Sequence, residues 1–157
     1  MDIYYLLRTI CENISKEFPN HSIYINNISQ GFKRPSFYIN LVSFNAEDLV
    51  KGELNKDVTI EVVYFAPINE RGQCDKLAQH VTHMSLTNLF SSQALTVKTE
   101  PNEEDVRIKI TGISGGPRDN EVYMTIDFSY GFIQDICNSK PEEVYYLMQE
   151  LQVKYLL

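Results

Sequence analysis

Residues 106–130 read VRIKITGISGGPRDNEVYMTIDFSY, and this stretch decides the class of the fold. Apolar and polar residues alternate over 106–111 and again over 122–130, the period-2 pattern of strands with one buried face. Gly115 to Asp119 separates the two runs and predicts a hairpin loop. The expected core positions are Val106, Ile108, Ile110, Val122, Met124, Ile126 and Phe128. The expected polar face carries Arg107, Lys109, Thr111, Tyr123, Thr125 and Asp127.

Three helices are predicted around this hairpin. The first runs from Asp2 to about Phe18, with apolar residues at helical spacing and Asp2 as a possible N-cap. The second runs from Asp75 to about Phe90, and the third from near Pro141 to about Tyr155. The apolar stripe of the second helix is predicted to be Leu77, Val81, Met84, Leu86 and Leu89, and that of the third to be Val144, Leu147, Met148 and Leu151.

Four further extended segments precede the hairpin. They are predicted at Ser22–Asn26, Ser36–Ser43, Asp57–Ala66 and around Leu95–Val97, with Ala46–Asn55 as a polar connector. The order α-β-β-β-α-β-β-β-α predicts an α+β fold, a mostly antiparallel sheet with helices packed on one face. A chain of 157 residues fits a single domain spanning residues 1–157.

Charge and composition indicate which kinds of binding partner and which cellular compartment to expect. The formal net charge is -7 and no run of Lys and Arg occurs, whereas nucleic-acid binders usually carry a basic patch. We therefore expect no tight binding of nucleic acid. No stretch is apolar over about 18 residues, so no membrane span is expected. The odd set Cys11, Cys74 and Cys137, with no CxxC motif, favours a reducing compartment.

The residue patterns do not favour catalysis. His80 and His83 could share one face of the second helix, but no further ligands are spaced to complete a metal site. Residues 112–116 are rich in glycine, yet they precede a strand rather than a helix, unlike a phosphate-binding loop. No Gly-x-Ser-x-Gly motif occurs, and neither Cys11 nor Cys137 has a local partner for nucleophilic catalysis. We expect no enzymatic activity, no cofactor and no bound metal.

The bend Gln30–Pro35 is the strongest candidate for a contact surface. It places Phe32, Lys33 and Arg34 between a glycine and a proline, and an aromatic beside cations is common at interfaces. The alternative is an ordinary loop with Phe32 turned inward. Loops on a rigid scaffold often carry binding residues, so Arg118 and Asp119 in the hairpin are added as candidates.

Four short motifs recur in a known arrangement along the chain. They are Glu17-Phe18-Pro19, Ile23-Tyr24, Gln30-Gly31-Phe32-Lys33-Arg34-Pro35 with Phe37 and Ile39, and Tyr64-Phe65-x-Pro67. On these motifs the chain resembles the phage tail terminator family of tailed phages, prophages and phage-tail-like bacteriocins of Gram-positive bacteria. The resemblance covers essentially the whole chain in order and size. The position of Arg34 departs from the family, in which an acidic residue is usual.

The resemblance implies a structural protein that forms a ring, expected to be a hexamer, at the head-proximal end of a tail tube. Such a ring would stop tube growth and dock the neck. Its partners would be copies of itself, the tube protein and, in contractile tails, the sheath. Assembly would take place in the cytoplasm of the bacterial host. The alternatives are another neck or connector subunit and an unrelated small binding module.

Overall fold

The structure is a computed structural model that describes residues 2–28, 30–50, 53–101 and 103–133. The third predicted helix and Cys137 lie outside the described residues. The described elements are, in order, α1 Ile3–Glu17, β1 Ser22–Ile25, β2 Ser36–Val50, β3 Glu53–Phe65, α2 Lys76–Leu89, β4 Ala94–Val97, β5 Val106–Arg118 and β6 Glu121–Ile133.

The strands form a six-stranded sheet in the order β1-β2-β3-β6-β5-β4. Only the pairing of β1 with β2 is parallel among the described strands, and the other neighbours are antiparallel. The mixed α+β class is therefore confirmed. β3 and β6 are the long central pair, and they are matched from Glu53 with Ile133 to Phe65 with Glu121.

The β5–β6 hairpin has the predicted register. Ile108 is fully buried while Lys109 is exposed, and the even-numbered residues of β6 from Val122 to Phe128 are buried. The predicted loop is wrong in extent, because residues 115–118 belong to β5 and only Asp119 and Asn120 form the turn. Gly115 explains the difference: its φ is +128°, and a Cβ there would lie 2.0 Å from the Tyr123 carbonyl oxygen. The glycine thus permits close approach of two strands rather than a loop.

The predicted connector Ala46–Asn55 is also wrong. β2 continues to Val50 and β3 begins at Glu53, and these two residues pair. The pairing of β5 with β6 stops at Ser129, whereas β2, β3 and β6 continue beyond it. The connector is therefore the outer part of a three-stranded arm. The arm does not bury one face as fully as the rest of the sheet, so its strands contain polar residues and lack the apolar alternation by which a strand is recognised in sequence.

One core joins the helices to the sheet. Of the six apolar residues at helical spacing in the first helix, Leu6, Leu7, Ile10 and Ile14 are buried, and Ile3 and Phe18 are partly buried. The Asp2 side chain accepts a hydrogen bond from the Tyr4 amide at the helix start. Every second side chain of the central strands packs against these helix residues, because successive side chains of a strand point to opposite faces of the sheet. The largest fully buried side chains are Phe37, Phe90, Phe128, Leu6, Leu7, Ile10, Ile14, Ile25, Ile39, Ile60, Leu86 and Ile108.

The orientation of α2 differs from the prediction. Leu77, Val81 and Met84 point outward, with 71%, 55% and 64% of their surfaces exposed. The buried residues of the helix are Gln79, Thr82 and Leu86. Of the five residues predicted for its apolar stripe, Leu86 is buried and Leu89 is partly buried against the core, so the prediction is wrong for the other three. Hydrogen bonds from the buried Gln79 side chain to the Asp119 and Glu121 carbonyls hold the helix in this orientation.

Candidate docking face

The sheet brings the two predicted contact loops together. Ser36 pairs with Phe65, Phe65 pairs with Glu121, and Glu121 pairs with Arg118. These terminal residues of β2, β3, β6 and β5 therefore lie side by side in one row across the sheet. The bend 30–35, the loop 66–75 and the turn 118–121 therefore lie at the same end of the sheet. We call these three segments the loop end.

The bend before β2 is held by aromatic contacts. Gly31 has a φ of 81°, which favours glycine, and Phe32 then turns back toward the sheet. The Phe32 ring centroid lies 4.6 Å from that of Phe65 and 6.4 Å from that of Tyr24. The Lys33 amide donates a hydrogen bond of 3.1 Å to the Tyr24 hydroxyl, while the Lys33 side chain is exposed. Phe32 thus serves mainly as an anchor, and Lys33 is the exposed group.

Arg34 is also a structural residue. Its guanidinium carbon lies 5.3 Å from the ring centroids of both Phe32 and Phe65. Nη1 donates to the Ala66 carbonyl at 3.0 Å, and Nη2 lies 3.4 Å from a carboxylate oxygen of Glu121. The side chain is 20% exposed. A half-buried cation with these partners ties the bend to β3 and β6.

The hairpin turn is fastened to the start of α2. Asp119 has a φ of 50°, and its carbonyl accepts hydrogen bonds from Lys76 Nζ at 2.7 Å and from Gln79 Nε2 at 2.9 Å. The same Gln79 amide donates to the Glu121 carbonyl at 3.3 Å. The backbone of the turn is therefore fixed. The Asp119 side chain remains exposed.

Arg118 and Asp119 are exposed at the loop end, as are residues 67–73 of the loop before α2. The Arg118 guanidinium carbon lies 5.5 Å from the ring centroid of Tyr123, on the polar side of the sheet, and Arg118 is exposed. Together with Lys33, these side chains project from a rigid base. Such a surface suits binding to another protein, because little ordering is required on contact.

The structure also places the cysteine and histidine side chains that were considered for metal binding or nucleophilic chemistry. Among the described residues, no three His, Cys, Asp or Glu side chains stand close enough to hold a metal ion, and His80 is exposed. Burial raises the pKa of the Cys11 thiol to about 12, so this cysteine remains a protonated core residue. The Cys74 thiol donates weakly to the Asp119 carbonyl at 3.5 Å.

Two features were missed by sequence reasoning. One is the partner of Arg34, since the pairing with Glu121 depends on long-range strand register that no local pattern encodes. The other is the arm formed by β2, β3 and β6. A signal for the arm does exist: only residues 51–52 separate Val50 from Glu53, and a two-residue link ending in glycine is typical of hairpins.

Comparisons with known proteins identify a family. Residues 5–140 match the family described as "Phage tail terminator protein". No curated protein matches the chain. Among 19 matching chains of solved structures, one without a descriptive name has 16% sequence identity and a TM-score of 0.46, covering 88% of this chain and 99% of its own. In the part of the chain that the structure describes, no helix has the length and apolar character needed to cross a membrane.

Proposed function

The chain belongs to the phage tail terminator protein family, and from this premise we propose that it forms a hexameric ring capping the head-proximal end of a tail tube. Its role is structural and lies in a phage tail, where it associates with other tail components. The match over residues 5–140 is the observation that carries the proposal. In the proposed ring, the protein stops tube growth and offers a docking face to the neck or sheath.

The loop end is the proposed contact surface for the next tail component. A ring whose subunits also bind a different protein needs surfaces that are not self-complementary. Lys33 and Arg118 supply exposed positive charge there, although the whole chain has a net charge of -7. Phe32 and Arg34 contribute by holding the bend in place. Because one pair of residues holds the bend and the other pair is exposed, the surface is formed before a partner binds, which supports docking on this face.

The charge of the chain also fits a tube through which DNA passes. A protein with a net charge of -7 does not attract the phosphate backbone as a basic channel would. The loop end carries as many carboxylates as cations: Glu70, Asp75, Asp119 and Glu121 against Lys33, Arg34, Arg71 and Arg118. We therefore propose proteins of the tail, and not nucleic acid, as the partners.

Imaging assembled particles tests the proposal. A small epitope tag on this protein, detected by labelled antibody in electron micrographs, is expected at the head-proximal end of every tail. Averaged end views should show six copies around the channel. Label along the whole tube, or only at the distal end, would contradict a terminator role. Label separated from the tube by another ring would instead indicate a neck or connector subunit.

A further inference from the structure

The polar face of the sheet carries a groove beside the loop end. The groove has a volume of about 470 Å³ and is lined by residues of β3, β5 and β6, among them Glu61, Gly116 and Thr125. This volume falls within the range found for ligand sites. Gly116 keeps the groove open, because it has no side chain and a Cβ built there would meet nothing within 4 Å.

Two opposite charges line this groove without being paired. Glu61 is half-buried in β3, and Arg118 is exposed at the end of β5. In the described part of the chain, neither side chain takes part in an ion pair. A charged ligand can therefore bind both groups without displacing an internal partner, and both groups are held on strands before the ligand arrives.

The sheet register fixes the distance between the two charges. The Arg118 guanidinium carbon lies 5.5 Å from the ring centroid of Tyr123, so the positive charge is held close to that residue. Glu61 pairs with Thr125, two residues after Tyr123, and these side chains point to the same face. Glu61 and Tyr123 are thus diagonal neighbours on adjacent strands, which places them about 7–8 Å apart.

This distance matches an extended polypeptide. Residues i and i+2 of an extended segment point to the same side and lie about 6.6–6.8 Å apart. Residues on one side of a helix are closer, at about 5–6 Å between Cβ atoms. A phosphate backbone would be attracted by Arg118 but repelled by Glu61. The spacing and the two signs of charge therefore favour an extended segment that carries both an acid and a base.

We propose that the groove binds an extended segment of the next tail component in which an acidic and a basic residue lie two positions apart. The acidic side chain pairs with Arg118, and the basic side chain pairs with Glu61. The inference rests on the proposed docking role of the loop end, because Arg118 belongs to both surfaces. Glu61 lies outside the loop end, so the groove extends the docking surface onto the sheet.

NMR titration of the isotope-labelled full-length protein with a capped synthetic peptide tests the proposal. The probe Ser-Thr-Glu-Thr-Lys-Thr-Ser should shift the amide signals of Gly116, Tyr123 and Thr125. The control peptide Ser-Thr-Thr-Glu-Lys-Thr-Ser has the same composition, but its two charges are adjacent and point to opposite sides. It should bind at least about threefold more weakly. Equal binding of the two peptides, or no shift up to about 10 mM probe, would overturn the proposal.

Charge-neutral variants test the two named residues with the same probe. Glu61→Gln and Arg118→Gln should each weaken binding about threefold or more, because each removes one of the two charges. The control is Asp57→Asn combined with Lys109→Gln. These two exposed residues flank Ser129 in one row of the sheet outside the groove. The control should bind like the wild type, and an equal loss in it, or no loss in Glu61→Gln, would overturn the proposal.

Cosedimentation with purified tail tubes separates failure of the groove from failure of the docking role. Glu61→Gln should bind tubes more weakly than the Asp57→Asn, Lys109→Gln control. Wild-type binding by Glu61→Gln, together with weakened binding after charge reversal at Lys33 and Arg118, would overturn the groove proposal and leave the loop end as the docking face. Wild-type binding by both of these variants would overturn the docking role itself.

Discussion

The Arg34 guanidinium lies 3.4 Å from the Glu121 carboxylate, measured from Nη2 to Oε1. These residues are 87 positions apart in sequence, and their contact joins the bend before β2 to the first residue of β6. The candidate contact loops are therefore one connected unit. Substitutions in this unit divide into those that alter the scaffold and those that alter only the exposed surface.

Arg34→Ala is expected to lower the free energy of unfolding by about 1–3 kcal/mol. The substitution removes the hydrogen bond to the Ala66 carbonyl, the contact with Glu121 and the stacking on two aromatic rings. Lys33→Ala, on the exposed neighbour, should change it by less than about 0.5 kcal/mol. Urea titration of both variants measures the difference. Equal stabilities would mean that Arg34 does not tie the loops together.

Gly115→Ala should destabilise the protein by about 3 kcal/mol or more, or prevent folding. A Cβ at this position would overlap the Tyr123 carbonyl oxygen, and the φ of +128° disfavours any side chain. Gly116→Ala is the matched control, because nothing lies within 4 Å of a Cβ built there. Soluble expression and denaturant melting compare the two variants. A well-tolerated alanine at 115 would show that the close approach of β5 to β6 is wrong.

His21 should make stability fall in mild acid. Burial lowers the pKa of His21 below its usual value of 6.5, and its ring packs against Phe18, Phe37 and Tyr64. At a pH between the His21 pKa of the unfolded chain and the lower one of the folded protein, the unfolded chain binds more protons than the folded protein. The free energy of unfolding therefore decreases as the pH falls below about 6.5 through the folded pKa. Stability measured from about pH 7 to pH 5 should decline less in His21→Phe than in the wild type. An unchanged slope in His21→Phe would refute the assignment.

Charge reversal at Lys33 and Arg118 together should weaken binding to the next tail component while leaving melting nearly unchanged. Both side chains are exposed, and exposed charges contribute little to folding. At an interface, like charges set against each other cost several kcal/mol. Lys98→Glu with Lys109→Glu makes the same charge change on exposed residues outside the loop end. Cosedimentation with purified tail tubes should separate the two double variants, and equal binding would exclude the loop end as the docking face.

Local patterns predicted much of the fold. The N-cap of α1, the alternation of β6 and the burial of Ile108 follow from nearest-neighbour periodicity, which the sequence displays directly. Turn composition alone placed Asp119 in the turn, and Arg118, predicted in the same loop, is the exposed last residue of β5. Their proximity to the bend could not be predicted this way, because it depends on pairing across four strands.

The errors have a common cause, which is that tertiary contacts override local preference. In α2, hydrogen bonds from Gln79 fix the rotation, so Leu77, Val81 and Met84 face outward while Leu86 stays buried. In the arm, pairing with β6 keeps polar segments of β2 and β3 in strands. Arg34 was predicted to be an exposed contact residue, but its partners place it half-buried between two rings.

The length of tail tubes tests the central claim most directly. Deleting the gene in the phage or prophage and measuring tubes by electron microscopy should give a broad distribution that includes tubes longer than the wild type. The wild-type gene supplied in trans should restore a single length and attachment at the head-proximal end. Tubes of uniform wild-type length, in particles of normal activity without this protein, would contradict the proposed role as tail terminator.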